Sequence, residues 1–186
     1  MKAQRFLVML TLTASSALLV GLPDTATANR GNDAETIRML DDCDPKTFNK
    51  ALDDPTACVG DGNTTFNEFL EELQDGGDGH WKNNPQRTEV DSGEGLHLVN
   101  RGGEFHTFTK VDRFADGGCV PKLNDPLGLP TRDDAFCFAA FTDPSTAVPA
   151  GEERQLSAAH LDPGHNHFQC MIHPWMQTTV VREHVH

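Results

Sequence analysis

Basic residues are scarce in this chain: 15 Lys and Arg stand against 28 Asp and Glu, a formal charge of −13. Nucleic-acid phosphates need a basic surface, so that class of partner is excluded. After Leu22 no apolar run is long enough to cross a bilayer, so no membrane span is expected in the later chain. There is no internal repeat, which removes the stacked-repeat architectures. No cysteine follows the apolar start where a lipid anchor would need one.

What is present begins with an address. Lys2 and Arg5 precede an apolar run from Phe6 to Leu22, and Ala26-Thr27-Ala28 follows. Basic start, apolar middle and A-x-A end predict a secretory signal over residues 1–28, cleaved before Asn29; the rival reading is a retained anchor. The mature protein is expected to be soluble, and periplasmic or secreted. Removing Lys2, Arg5 and Asp24 leaves it one unit more negative than the whole chain. That charge suits solubility, or steering toward a partner with a basic docking surface.

Two parts follow. Residues 29–78 read as a small helical extension. Asp44 and Pro45 open one helix as cap and first residue, and Thr65 with Glu68 opens another in capping-box spacing. The second helix would carry Phe66, Phe69, Leu70 and Leu73 on one face. The stretch 61–72 imitates a calcium loop, but Phe66 stands where glycine is required, so calcium is rejected. From 79 to 186 the pattern changes to short alternating runs, "TEV", "GLHLVN", "EFHTFTKV", "AFCFAAF", "RQLSAA", "HNHFQCMI" and "QTTVVREHV". Strands of this length predict a mainly β fold, an antiparallel Greek-key sandwich or barrel. Residues 112–135 and 142–152, rich in Asp, Pro and Gly, are expected as loops.

Five cysteines in an exported chain leave one over after pairing. Any pairing is open to the sequence, and proximity favours Cys43 with Cys58 and Cys119 with Cys137. A loop of such size stabilises by roughly 3 kcal/mol in the chain-entropy account. The thiol left over is Cys170, in "HFQCMIHPWMQ", with His173 three residues on and Met176 three further. Upstream, "NRGGEFHTF" places His106 in a strand-like run, on the same face as Phe108, while Phe168 and Cys170 share a face of theirs. Two imidazoles and a thiolate, with a weak axial thioether, form the electron-transfer copper set.

The segments "NRGGEFH" and "FQCMIHPWM" resemble the cupredoxins, the small blue copper proteins, over about residues 79–186. The C-x2-H-x2-M spacing is similar to the short ligand loop of amicyanin. The resemblance implies one mononuclear type 1 copper held by His106, Cys170 and His173 with Met176 axial. It also implies that Asn100, six residues before His106, braces the Cys170 loop by hydrogen bonds. It gives the extension 29–78 no counterpart.

Rivals are weaker. A closed zinc site would want a second thiolate, and the other four cysteines are even in number. A cysteine nucleophile would want an oxyanion hole and a third group. Copper oxidases wire a second metal through histidines beside the cysteine, where this chain has Gln169 and Met171, so no enzyme is expected. Adjacent strand residues point to opposite faces, which favours Met176 over Met171 as axial sulfur. His165, His167, His184 and His186 are candidates for weak metal contact at most. Pro174 and Trp175 are expected to stiffen the loop and form an apolar patch around His173 as an electron doorway, the alternative for Trp175 being a plain packing role. The expected function is single-electron transfer between a donor and an acceptor protein, by a monomer; the alternative is copper binding or delivery without redox turnover.

Overall fold

Alternation decides the first element. In Glu35-Thr-Ile-Arg-Met-Leu40, Ile37 and Met39 are fully buried while Arg38 between them is exposed, the period of a strand. The computed structural model describes residues 34–77 and 79–183, and β1 is Glu35–Leu40. The expectation of a wholly helical 29–78 extension is corrected here. Neighbouring strands on both sides supply the hydrogen bonds that a six-residue run could not supply itself. The expected secretory signal, His184 and His186 lie outside the described residues.

Two short helices follow as their caps dictate. The Asp44 carboxylate accepts from the Lys46 and Thr47 amides and Pro45 occupies the first turn of α1, Pro45–Leu52. Thr65 and Glu68 close a reciprocal capping box at α2, Phe66–Leu73. Phe69 and Leu73 are buried, whereas Leu70 lies at the edge of the apolar face, 36% exposed. Phe48 of α1 packs on Phe66, Phe69 and Trp81 at ring separations of 5.2, 5.5 and 5.7 Å.

The chain then runs through β2 (Lys82–Asn84), β3 (Arg87–Val90), β4 (Leu96–Asn100), β5 (His106–Thr107) and β6 (Thr109–Val111). After β6 come α3 (Pro121–Asn124) and α4 (Asp134–Thr142), then β7 (Ala147–Val148), β8 (Glu153–Leu156), β9 (Gly164–Gln169) and β10 (Gln177–Arg182). One sheet has the order β2-β1-β4-β8 and the other β3-β10-β9-β6, with β5 and β7 paired separately. Ile37, Met39, Leu96 and Leu98 of the first sheet share a single buried core with Val90, Phe168 and Val180 of the second, and Phe108 stacks on Phe168 at 4.4 Å. This is a β-sandwich.

Three further expectations change. The sheets are mixed rather than antiparallel throughout, because β1 runs parallel to β4 and β3 parallel to β10. Both parallel pairs join strands far apart in sequence, with room for the long crossover such pairing requires. "AFCFAAF" is a helix, not a strand: Asp133 caps α4 by accepting from the Phe136 amide, and a short run apolar on every side has no period to declare itself. The boundary at 78/79 also falls within one compact unit, Asn32–His186, since β1 is an interior strand of the first sheet. Among the described residues no helix is long and apolar enough to cross a membrane.

Both expected disulfides are present, Cys43–Cys58 and Cys119–Cys137, and Cys170 is free and buried. The first ties α1 to the end of β1, and the second ties the α3 segment to α4.

Candidate metal centre

The site is built from the β9–β10 hairpin connection and the loop that joins β4 to β5. β9 stops at Gln169 and β10 starts at Gln177, and the seven residues between them close on themselves. The Cys170 amide donates to the Met176 carbonyl (3.0 Å) and the Met176 amide to the His173 carbonyl (2.9 Å). Asn83 of β2 donates to the same Met176 carbonyl, and the Gln177 side chain donates to the Pro174 carbonyl. The loop is therefore held from inside and from the first sheet.

His106 comes from β5, where it pairs with Val148 of β7. The next residue stitches the two pieces: the Thr107 amide points at Cys170 Sγ (3.5 Å), and Thr107 Oγ1 accepts from the Met171 amide (2.9 Å). The result brings His106 Nδ1 to 3.8 Å and His173 Nδ1 to 3.9 Å from Cys170 Sγ. The three donor atoms all lie within 4.8 Å of one another. Donors about 2.0 and 2.3 Å from a shared ion, at trigonal to tetrahedral angles, stand roughly 3.5–3.7 Å apart. The cluster therefore fits a single metal ion. Met176 and Met171 are both fully buried. Among the described residues this is the one His/Cys/Asp/Glu group of three with metal-binding spacing; His165 and His167 are outside it.

The outer nitrogens of the imidazoles carry what the sequence did not show. His106 Nε2 lies 2.9 Å from Asp41 Oδ2, both side chains fully buried. Asp41 follows β1 directly, and it also accepts from the Cys43, Gly103 and Glu104 amides. Its neighbours are spent differently: Asp42 accepts from Thr64, Cys43 forms the disulfide, and Asp44 caps α1. The glycines of "RGGEFH" permit the approach. A Cβ on Gly102 would lie 1.8 Å from Asp41 Oδ2, and one on Gly103 would lie 2.5 Å from the Gly60 nitrogen.

Charges follow this geometry. Burial alone would push Asp41 up, but its bonds to His106 and the two loop amides bring it to about 2. Burial alone would push His106 down, yet its bonds to Asp41 and Cys170 hold it at about 10. Burial opposes a charged Cys170 too, and the two histidines overcome it, taking the thiol well below its usual range. The metal-free protein thus already favours the thiolate, the form that binds metals.

His173 is only 1% exposed, so the apolar patch expected around it lies in the interior. The rings of Phe69, Trp81 and Trp175 surround it at 6.1, 6.3 and 5.4 Å. Its Nε2 lies 3.5 Å from Glu104 Oε2, the atom that accepts from the Trp81 indole. Burial pushes the Glu104 carboxyl up, only partly offset by the charges of His173 and His106. Pro174 is buried and Trp175 half-buried, so the apolar material near His173 is interior packing, shared by Phe69 of α2, Trp81 and Trp175.

Asn100 is also corrected. Its amide donates to the Glu104 and Val148 carbonyls, and its carbonyl accepts from the Gly102 amide. It braces the loop that delivers His106, not the Cys170 loop. Sequence reasoning missed Asp41 and Glu104 as partners of the imidazoles. The doubled glycine beside Glu104 was the visible trace of a close approach, though not of what approaches.

No protein-family model matches the chain, and no curated protein does. Among solved structures it is similar to a purple cupredoxin from Nitrosopumilus maritimus, with 13% identity over 80% of this chain and 99% of that one, at a TM-score of 0.40. It is similar to the oxidised plastocyanin of Dryopteris crassirhizoma, with 15% identity over 80% and 99%, at 0.36. A methionine-to-alanine mutant of amicyanin in its Cu(I) form shows 15% identity over 55% and 73%, at 0.34.

Proposed function

We propose that this chain is an extracytoplasmic, mononuclear type 1 copper protein that carries single electrons between redox proteins. The observation that carries the reading is the donor set: a free, fully buried thiol at 3.8 and 3.9 Å from two imidazole nitrogens, in a chain whose other four cysteines are bridged. Copper bound there would supply a one-electron couple, since imidazole and thiolate suit both Cu(I) and Cu(II).

The chain's own residues do the rest. Cys170, His106 and His173 would hold the copper, the thiolate giving the strong covalent contact, and Met176 would add a weaker thioether donor. Asn100 braces the loop that delivers His106 and Thr107 ties it to the Cys170 loop, so the donor atoms need not move when charge changes. Burial keeps water and external thiols from Cys170. Two disulfides support an oxidising compartment, in keeping with export by the leader. The acidic surface suits a donor or acceptor with a basic face.

The second reading, copper delivery without redox turnover, is less well supported, because a carrier that must hand over its ion is served by exposed ligands and these are buried. Adding Cu(II) to the purified protein tests the proposal. An intense visible thiolate-to-copper band is expected, with the narrow copper hyperfine pattern of a type 1 site in paramagnetic resonance, both lost in Cys170→Ser. A colourless protein that takes up one zinc instead sinks it. Reversible voltammetry supports electron carriage, whereas copper lost on reduction supports delivery.

A further inference from the structure

Metal-bound histidines are commonly oriented by a partner on the outer ring nitrogen, and a carboxylate there both fixes the tautomer and raises ligand basicity. In this chain that partner for His106 comes from the segment that no sequence motif connected to the site. We propose that Asp41 is a positioning residue of the metal centre: it accepts the proton on His106 Nε2, so that Nδ1 presents its lone pair beside Cys170 Sγ. This rests on the copper reading given above.

Three observations converge. The contact is short, 2.9 Å, and both side chains are fully buried, so water does not compete for either. Asp41 Oδ2 is itself fixed by the Glu104 amide at 3.0 Å and Oδ1 by the Gly103 amide at 2.8 Å, so the carboxylate is held independently of the histidine. Gly102 leaves the space in which the carboxylate sits, since a Cβ there would lie 1.8 Å from Asp41 Oδ2. These amides belong to the loop Asn100 braces, so one hydrogen-bonded unit orients His106 from two sides. Glu104 at His173 is the weaker counterpart: it stands 3.5 Å away and is engaged by Trp81.

An uncharged partner changes the chemistry without changing the size. In Asp41→Asn the amide either offers a donor to His106 Nε2, favouring the tautomer whose Nδ1 carries hydrogen, or turns that donor against the Gly103 amide. The test uses the full exported chain loaded with Cu(I), with affinity measured against a chromogenic Cu(I) chelator and potential by voltammetry. Nitrogen-15 spectra of the histidine rings are recorded alongside. In wild type the His106 Nε2 proton should appear strongly downfield and exchange slowly. Asp41→Asn should lose that signal, bind copper about 10–100-fold more weakly and show a higher potential, because a less basic ligand favours Cu(I). Asp41→Glu should recover part of each, and Gly102→Ala, which pushes the carboxylate away, should shift the potential the same way as Asp41→Asn. Glu104→Gln should shift it less. If Asp41→Asn folds and matches wild type in affinity, potential and ring spectrum, this inference is overturned while the copper reading stands. If the asparagine variant does not fold, the wild-type ring spectrum decides, and an unprotonated His106 Nε2 overturns the inference. A wild type that takes up no copper overturns both.

Discussion

The loop 170–176 and the segment 34–77 serve the same centre and differ in how they do so. The loop carries Cys170, His173 and Met176 within seven residues and is closed by its own backbone bonds. The N-terminal segment contributes nothing contiguous: a strand to the first sheet, the Asp41 carboxylate behind His106, and the Phe69 ring over His173. The difference teaches that donor atoms can be grouped by local spacing, while the environment that sets their charge and exposure is assembled from a distance. A short loop concentrates the chemistry. A long segment insulates it.

Each side of this comparison can be broken separately. The largest effect is expected at the donor set itself: His106→Ala, on β5 facing the loop, should weaken copper binding outright, whereas Met176→Leu within the loop should leave copper bound and raise the potential, since losing a weak donor disfavours Cu(II). Copper content and voltammetry on the two variants check this, and equal copper loss in both would show that the thioether is not a minor donor. Next comes Phe69→Ala, which removes a fully packed ring from the roof and should cost about 3–5 kcal/mol in denaturant unfolding. The same variant should make His173 accessible to water, seen as faster exchange of its ring proton. A change in stability with no change at His173 would separate insulation from packing.

Replacing Cys43 and Cys58 together with serine should cost roughly 2–4 kcal/mol, read by thermal unfolding, and should loosen the Asp41 turn next to it. Copper affinity in the folded fraction should fall as well. The smallest effect is expected at Leu70→Ala on the exposed edge of α2, within about 0.5 kcal/mol and without change in potential. A large shift there would mean that the edge of the helix, as well as its buried face, matters to the centre.

Legibility follows the same division. The spacing of Cys170, His173 and Met176, the separate His106 strand and the odd fifth cysteine could all be read from sequence, because each is a statement about neighbours along the chain or about parity. The capped starts of α1 and α2 were legible for the same reason. Strand β1 was not: six residues flanked by helix signals carry too little periodicity to outweigh them, and only the partners β2 and β4 make the strand stable. Asp41 was hidden because a carboxylate in an acidic chain attracts no notice until an imidazole faces it 65 positions away. The burial of His173 was hidden because the rings covering it, Phe69 and Trp81, come from a different stretch of the chain. Asn100 was placed correctly as a brace and assigned to the wrong loop, since spacing from His106 says nothing of where an amide points.

The disulfide pattern also has a temporal side. Both bridges join cysteines that are consecutive in the chain, Cys43 to Cys58 and Cys119 to Cys137, and the fifth thiol comes last. Were the chain exported from its N-terminus, it would present its thiols in the order in which they are joined. Each can find its partner before the next pair arrives. Cys170 would then emerge when every earlier thiol is already committed, so order of appearance would protect it from scrambling, and late reduction and reoxidation of the whole chain would be a poorer route to the intact centre than first-time folding.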